Sequence, residues 1–240
     1  MNIKELLISH RGIFDNETIP ENSLAAFRKA KNLNIPIELD VQLTKDQEVI
    51  VFHDINLKRM CGIDKYIEDV TYQELQQFTL FSSKEKIPTL KEVLKLIQGK
   101  VLIDIELKKT KNIEKLCNKV LEEVRNYTGD VLLKSFQPNI VRYLKKHTTR
   151  PVGLLITRIP TSKTYSYFMS SPLLIQYCKP DFLAMNKEII KKKRIQKYRK
   201  KIPVFVWTIT NKKELEEYFP YADSYLCNHL PYFQNFIKKS

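Results

Sequence analysis

Nine short apolar stretches are spaced along the chain, and most neighbours are separated by one segment of helical periodicity. The strand candidates are LLISH (6–10), IPIELDVQL (35–43), EVIVFH (48–53), VLIDIEL (101–107), DVLLKSF (130–136), VGLLIT (152–157), DFLAM (181–185), PVFVWTI (203–209) and SYLC (224–227). Helical patterns cover 22–33, 89–98, 113–127, 139–147, 187–200 and 212–219. Asn22 reads as the cap of the first, and Thr89 with Glu92 as a capping box on the second. Strand, helix, strand at this spacing predicts a parallel sheet, closed as a (β/α)8 barrel or opened as a doubly wound fold. No GxGxxG or GxxxxGK[ST] follows the first strand, which counts against a nucleotide-binding doubly wound sheet. A chain of 240 residues suits one α/β barrel.

Nine candidates exceed eight staves, and one pair accounts for the surplus. IELDVQL and EVIVFH are only a few residues apart, whereas a parallel crossover needs about a dozen or more. They are therefore expected to form an antiparallel hairpin, turning around KDQE (45–48). With Lys45 opposite Glu48, Asp40 faces His53. Directly opposed residues share a side of the sheet, and Glu38 joins Asp40 there by the two-residue period of a strand.

Composition narrows the partners. A 43% hydrophobic fraction is ample for a core, and the net charge of +14 points to an anionic partner or to a lysine-rich surface. Cys61, Cys117, Cys178 and Cys227 are far apart with no CxxC pair, so a zinc ribbon is not expected and reduced thiols fit a cytoplasmic protein. The N-terminus has no apolar core or cleavage site of a signal peptide, and no segment approaches the roughly 20 apolar residues of a spanning helix.

The polar residues at strand ends carry the chemistry. His10 ends the first strand in HRG (10–12), and in a barrel that end gathers catalytic groups. Arg11 offers a planar fork suited to phosphate or carboxylate. In IDIELK (103–108), Asp104, Glu106 and Lys108 share one face. Glu38, Asp40 and Glu106 at one barrel mouth would need positive compensation, and an all-oxygen set favours Mg2+ or Ca2+ over zinc. Two histidines beside such an ion, His10 and His53, suit general acid and base roles. With Arg11 and Lys108 balancing an anion, the set reads as metal-assisted cleavage of a phosphate ester.

HRG (10–12), PENSLAAFRKA (20–30), IELDVQLTKDQEVIVFHD (37–54), LIDIELK (102–108), IPTLKEVL (87–94), SFQP (135–138) and VFVWTIT (204–210) resemble the glycerophosphodiester phosphodiesterase family. The resemblance runs from about residue 6 to Pro231. It implies a TIM-type (β/α)8 barrel as one domain over 1–240, and hydrolysis of glycerophosphodiesters to glycerol 3-phosphate and an alcohol. It implies that Glu38, Asp40 and Glu106 bind one divalent cation, Mg2+ or Ca2+. His10 and His53 would be the acid/base pair, and Arg11 and Lys108 would hold the phosphate. Glu21 would support the mouth. Trp207 would pack on the glycerol part, or be a plain barrel-core aromatic. Attack by the glycerol 2-hydroxyl through a cyclic phosphate and direct attack by water both remain open.

Three departures stand out: Thr210 where the family often has Asn, Asn228 in LCNHLP where an Asp is common, and a bulky stretch at 163–177. Residues 54–87 match the family's small insertion after the hairpin, expected to cover the mouth, with a short helix at 71–78 capped by Thr71. The alternative activity is a lysophospholipid-directed phosphodiesterase, with the basic segment 187–200 making weak contact with an anionic membrane. A nucleic-acid partner is not expected, because it gives HRG, ELD and ELK no role. The expected partner is a small-molecule diester, and the oligomeric state is left open.

Overall fold

The computed structural model, which describes residues 3–157 and 170–228, has a strand at each of the nine apolar stretches. These are β1 (Leu7–Ser9), β2 (Ile37–Leu43), β3 (Val49–Val51), β4 (Ile103–Leu107), β5 (Val131–Ser135), β6 (Val152–Ile156), β7 (Phe182–Asn186), β8 (Val204–Ile209) and β9 (Ser224–Cys227). The described α-helices are α1 (Leu24–Asn32), α2 (Lys58–Cys61), α3 (Tyr72–Leu75), α4 (Leu90–Ile97), α5 (Ile113–Arg125), α6 (Pro138–His147), α7 (Pro172–Cys178), α8 (Lys187–Ile190), α9 (Lys193–Arg199) and α10 (Lys212–Tyr218). The fold is a TIM-type (β/α)8 barrel, with β3 as the added hairpin strand. Of the bulky stretch 163–177, residues 163–169 lie outside the described residues, as do residues 229–231 of LCNHLP and of the family resemblance.

The chain divides into two compact units, Arg11–Val131 and Met1–His10 with Leu132–Ser240. In the first, β2 pairs β4 in parallel and β3 in antiparallel. Both faces of β2 and β4 are covered: Ile37, Leu39, Val41, Ile103, Ile105 and Leu107 are fully buried, and Glu38, Asp40 and Asp104 nearly so. Thr89 caps α4 in the predicted box with Glu92. The cap of α1 is Ser23, whose side chain accepts from Ala26 N, and not Asn22. In the second unit β1, β9, β8, β7, β6 and β5 follow one another in parallel.

The hairpin differs from expectation by one residue. Thr44 pairs Glu48, leaving a three-residue turn with Gln47 in the left-handed region at φ 68°. The ladder then sets Val41 opposite Val51 and ends there. Phe52 N donates to Asp40 O, so Asp40 meets Phe52 and not His53. The register predicted from a two-residue turn is thereby corrected. Left-handed backbone at one turn position closes a three-residue hairpin, and glycine is not obligatory there.

The segment after β3 builds a small core of its own. Ile50 and Phe52 are buried with Leu57, Met60, Ile67, Val70, Leu75, Leu80 and Ile87. α3 is shorter than predicted, but Thr71 caps it in a box with Glu74. Glu85 accepts from Ala25 N at 3.0 Å, tying the segment to the first turn of α1. The predicted basic helix 187–200 is two short helices. Asn186 caps the first, and Ile189, Ile190 and Ile195 are buried. These three isoleucines are thus packed inside the protein.

Two outcomes test this packing. A Cβ at Gly153 on β6 would overlap the ring of Phe182, which is stacked on Phe205 at 4.5 Å. Gly153→Ala is therefore expected to lower stability by about 1–3 kcal/mol, read as a fall in melting temperature. On α5, burial, with Glu48 adding to it, raises the Glu123 pKa from 4.5 to about 7, and its Oε2 has no hydrogen-bond partner among the described residues. The folded state binds that proton more tightly than the unfolded chain, so Glu123 costs stability as pH rises from about 4.5 through 7. Glu123→Gln is expected to raise the melting temperature at pH 8 and leave it nearly unchanged at pH 4.

Candidate active site

The pairing of β2 with β4 sets Asp40 beside Glu106 and Glu38 beside Asp104. Glu38, Asp40 and Glu106 each bring one carboxylate oxygen within 4.8 Å of the others, and none is more than 7% exposed. Such a group needs nearby cations and donors. Lys108 Nζ lies 3.2 Å from Asp40 Oδ1 and 2.8 Å from Glu106 Oε1. Although burial opposes its charge, Asp40 and Glu106 hold the ammonium well above the ordinary lysine range. Asn22 Nδ2 donates to Asp40 Oδ2 at 3.0 Å, which is what this residue does in place of capping α1.

HRG is a turn under constraint. Arg11 and Gly12 both have left-handed backbone, at φ 58° and 80°, as does Asn22 at 55°. A Cβ at Gly12 would stand 2.9 Å from Ala26 Cβ, so the third letter of the motif is required by packing against α1. Arg11 N donates to Glu38 Oε2 at 3.1 Å, and its Nε is 3.5 Å from Asp40 Oδ2. Arg11 Nη1 donates to Glu21 Oε1 at 2.7 Å. Burial works against this guanidinium too, yet Asp40, Glu21 and Glu38 hold it above its ordinary value. Glu21 is 3% exposed. Burial pushes its pKa up, but hydrogen bonds from Arg59 and Asn16 and the charge of Arg11 hold it below the usual carboxylate range.

His53 lies past the end of β3. Gln42, on the same face of β2 as Glu38 and Asp40, donates its amide to both Phe52 O and Asp54 O at 2.7 Å. Those two bonds pin the backbone on either side of His53. The His53 ring meets Asp54 Oδ1 through Nδ1 at 2.7 Å. Burial raises the Asp54 pKa, but hydrogen bonds from Arg59 and His53 outweigh it and keep the carboxyl ionised. An ionised carboxylate only accepts, so Nδ1 carries the proton and Nε2 is the basic nitrogen.

His10 and Trp207 belong to the other unit. His10 Nδ1 is 2.8 Å from Asn228 Oδ1, so the departure at Asn228 falls on the residue that holds this histidine. Trp207 meets Phe136 edge to face at 5.5 Å, with its indole Nε1 buried and unpartnered among the described residues. Thr210 bonds to Glu214 in the cap of α10, which accounts for a hydroxyl residue there.

The donor set fits a hard divalent cation. Glu38, Asp40, Glu106, Glu21 and Asp54 are linked through Arg11, Lys108 and Arg59. The three clustered carboxylates offer only oxygen donors, which suit Mg2+ or Ca2+. Gln42, Asn22, Asp54 and Arg59 are site residues that the sequence reading does not reach. Gln42 continues the even-numbered face of IELDVQL and is open to that reasoning. Arg59 lies in a loop-like stretch with no local signal.

Residues 10–230 match the Glycerophosphoryl diester phosphodiesterase family. A glycerophosphodiester phosphodiesterase of Caldanaerobacter subterraneus subsp. tengcongensis is 31% identical over 239 residues, covering 89% of both chains. Among solved structures, a glycerophosphodiester phosphodiesterase from Thermotoga maritima aligns over 100% of both chains with a TM-score of 0.77 and 27% identity. An Oleispira antarctica phosphodiesterase, in complex with the product sn-glycerol-3-phosphate, aligns over 98% of this chain and 97% of its own with a TM-score of 0.84 and 22% identity.

The bond from Asn22 to Asp40 gives a direct test. Removing a residue that orients a metal ligand lowers affinity about 10- to 100-fold. Calorimetric titration of Mg2+ and Ca2+ is expected to show that loss in Asn22→Ala. Unchanged affinity for both ions would contradict the role assigned to the amide.

Proposed function

The chain belongs to the glycerophosphoryl diester phosphodiesterase family, a family of metal-dependent phosphoric diester hydrolases, and from that premise we propose that it releases glycerol 3-phosphate from small glycerophosphodiesters. The observation that carries this reading is the buried Glu38–Asp40–Glu106 cluster with Lys108 and Arg11 on its edge. The product bound in the Oleispira antarctica phosphodiesterase supports the same substrate class. The catalytic unit is one barrel domain, and residues 54–87 serve as the cover of its mouth.

Arg11 and Lys108 bind the non-bridging oxygens of the diester and carry its negative charge. Glu38, Asp40 and Glu106 would hold one Mg2+ or Ca2+, an ion that draws charge from a phosphate oxygen. One histidine Nε2 takes a proton from the attacking oxygen as it bonds to phosphorus; that oxygen belongs either to water, giving glycerol 3-phosphate directly, or to the glycerol 2-hydroxyl, giving a cyclic phosphate whose P–O2 bond water then opens. The other histidine gives a proton to the leaving alcohol oxygen as its P–O bond breaks. Asp54 and Asn228 orient the two rings through Nδ1, and Trp207 packs on the glycerol carbons.

The test is release of glycerol 3-phosphate from glycerophosphocholine, with lysophosphatidylcholine as a second substrate. Activity is expected with Mg2+ or Ca2+ and should vanish on chelation. His10→Ala and His53→Ala should each lower kcat by about 100-fold or more. Full turnover in EDTA would remove the metal from the scheme. Faster turnover of the lysophospholipid would replace the substrate class.

A further inference from the structure

Arg59 comes from α2, in the segment after the hairpin, yet it grips two carboxylates that serve different parts of the site. Its Nε and Nη2 reach Asp54 Oδ2 and Oδ1 at 2.6 and 3.1 Å. The same Nη2 reaches Glu21 Oε1 at 2.7 Å, and Nη1 reaches Glu21 Oε2 at 3.3 Å. Asp54 in turn holds His53 through Nδ1, and Glu21 holds Arg11 through Nη1.

We infer that Arg59 is a positioning residue that sets His53 and Arg11 together, by clamping Asp54 and Glu21 in one planar fork. This rests on the roles proposed above for His53 and Arg11. An exposed ion pair is ordinarily worth little, but bidentate geometry within a network is the exception. Arg59 is 43% exposed as a side chain, whereas Glu21 is 4% and Asp54 23% exposed. The carboxylates are therefore confined even though the arginine stem is not. Glu21 Oε1 accepts from both Arg11 and Arg59, so a shift of one guanidinium moves the other. Asp54 Oδ1 is likewise shared between His53 and Arg59. Charge alone does not explain the choice of residue. Lysine is a point charge and cannot meet two carboxylates in this in-plane pattern. The sequence neighbours of Arg59 have other tasks: Met60 is buried in the segment's core, and Lys58 lies 3.9 Å from Asp64 in an exposed pair.

The experiment separates the two arms with the full chain and glycerophosphocholine. Asp54→Asn should lower kcat and leave KM nearly unchanged, and Glu21→Gln should raise KM. Arg59→Ala should do both, with kcat down about 10- to 100-fold. If Arg59 acts through these carboxylates, Arg59→Ala should not lower kcat further in the Asp54→Asn background, nor raise KM further in the Glu21→Gln background. Arg59→Lys should recover only part of either loss. A readout that needs no turnover is the nitrogen-15 shift of the His53 ring. The Nδ1–H tautomer should dominate in the wild type and mix with the Nε2–H tautomer in Arg59→Ala. Unchanged kcat, KM and tautomer in Arg59→Ala would overturn the inference. So would losses that multiply fully with those of Asp54→Asn and Glu21→Gln, since Arg59 would then act through general stability. If the wild type does not turn over the diester but the tautomer responds as expected, the substrate reading fails and the positioning role stands.

Discussion

Three carboxylates within 4.8 Å of one another, shut off from water, repel each other strongly. The rest of the site is arranged around that repulsion. β2 and β4 bring the charges together by register, setting Asp40 beside Glu106. The apolar face of both strands fixes which way the charges point, because slipping either strand by one residue would bury them among aliphatic side chains. The barrel thus uses its hydrophobic packing to hold an electrostatically unfavourable group in place.

The compensation is supplied in layers. Lys108 and Arg11 meet the cluster directly, Asn22 donates to it, and Glu21 and Arg59 hold Arg11 from behind. Backbone strain serves the same end. Arg11 and Asn22 hold left-handed backbone that L-residues adopt at a cost of about 1–3 kcal/mol. The two residues are joined, since Asn22 N donates to Arg11 O at 3.0 Å. A relaxed turn at either place would take the Arg11 amide off Glu38 or the Asn22 amide off Asp40.

What the sequence made legible divides along physical range. Strand and helix positions follow from short periodicities, so all nine strands and the Thr89 capping box are readable from residue spacing. The clustering of Glu38, Asp40 and Glu106 is readable as well, because the alternation of IELDVQL and IDIEL assigns faces. The hairpin register is not, because it turns on whether residue 47 adopts left-handed backbone, and glutamine carries little signal of that. Asn22 and Ser23 are both good caps, and which of them caps depends on Asp40, eighteen residues away, claiming the asparagine amide. Arg59 is beyond local reasoning altogether, since its partners are fixed only when the segment after β3 folds on Ile50 and Phe52.

The two histidines show how differently sequence can reach one chemical end. His53 has a charged partner in Asp54, but Arg59 draws on both oxygens of that carboxylate. His10 has a neutral partner in Asn228, which can accept from the ring and supply no charge. In each case a bond at Nδ1 engages one ring nitrogen and fixes the ring plane. The common requirement is therefore orientation of Nε2, and an anionic partner is one way to meet it. Asn228 supplies such an orienting bond to His10 at 2.8 Å without a negative charge, so the departure from Asp at this position leaves the ring held.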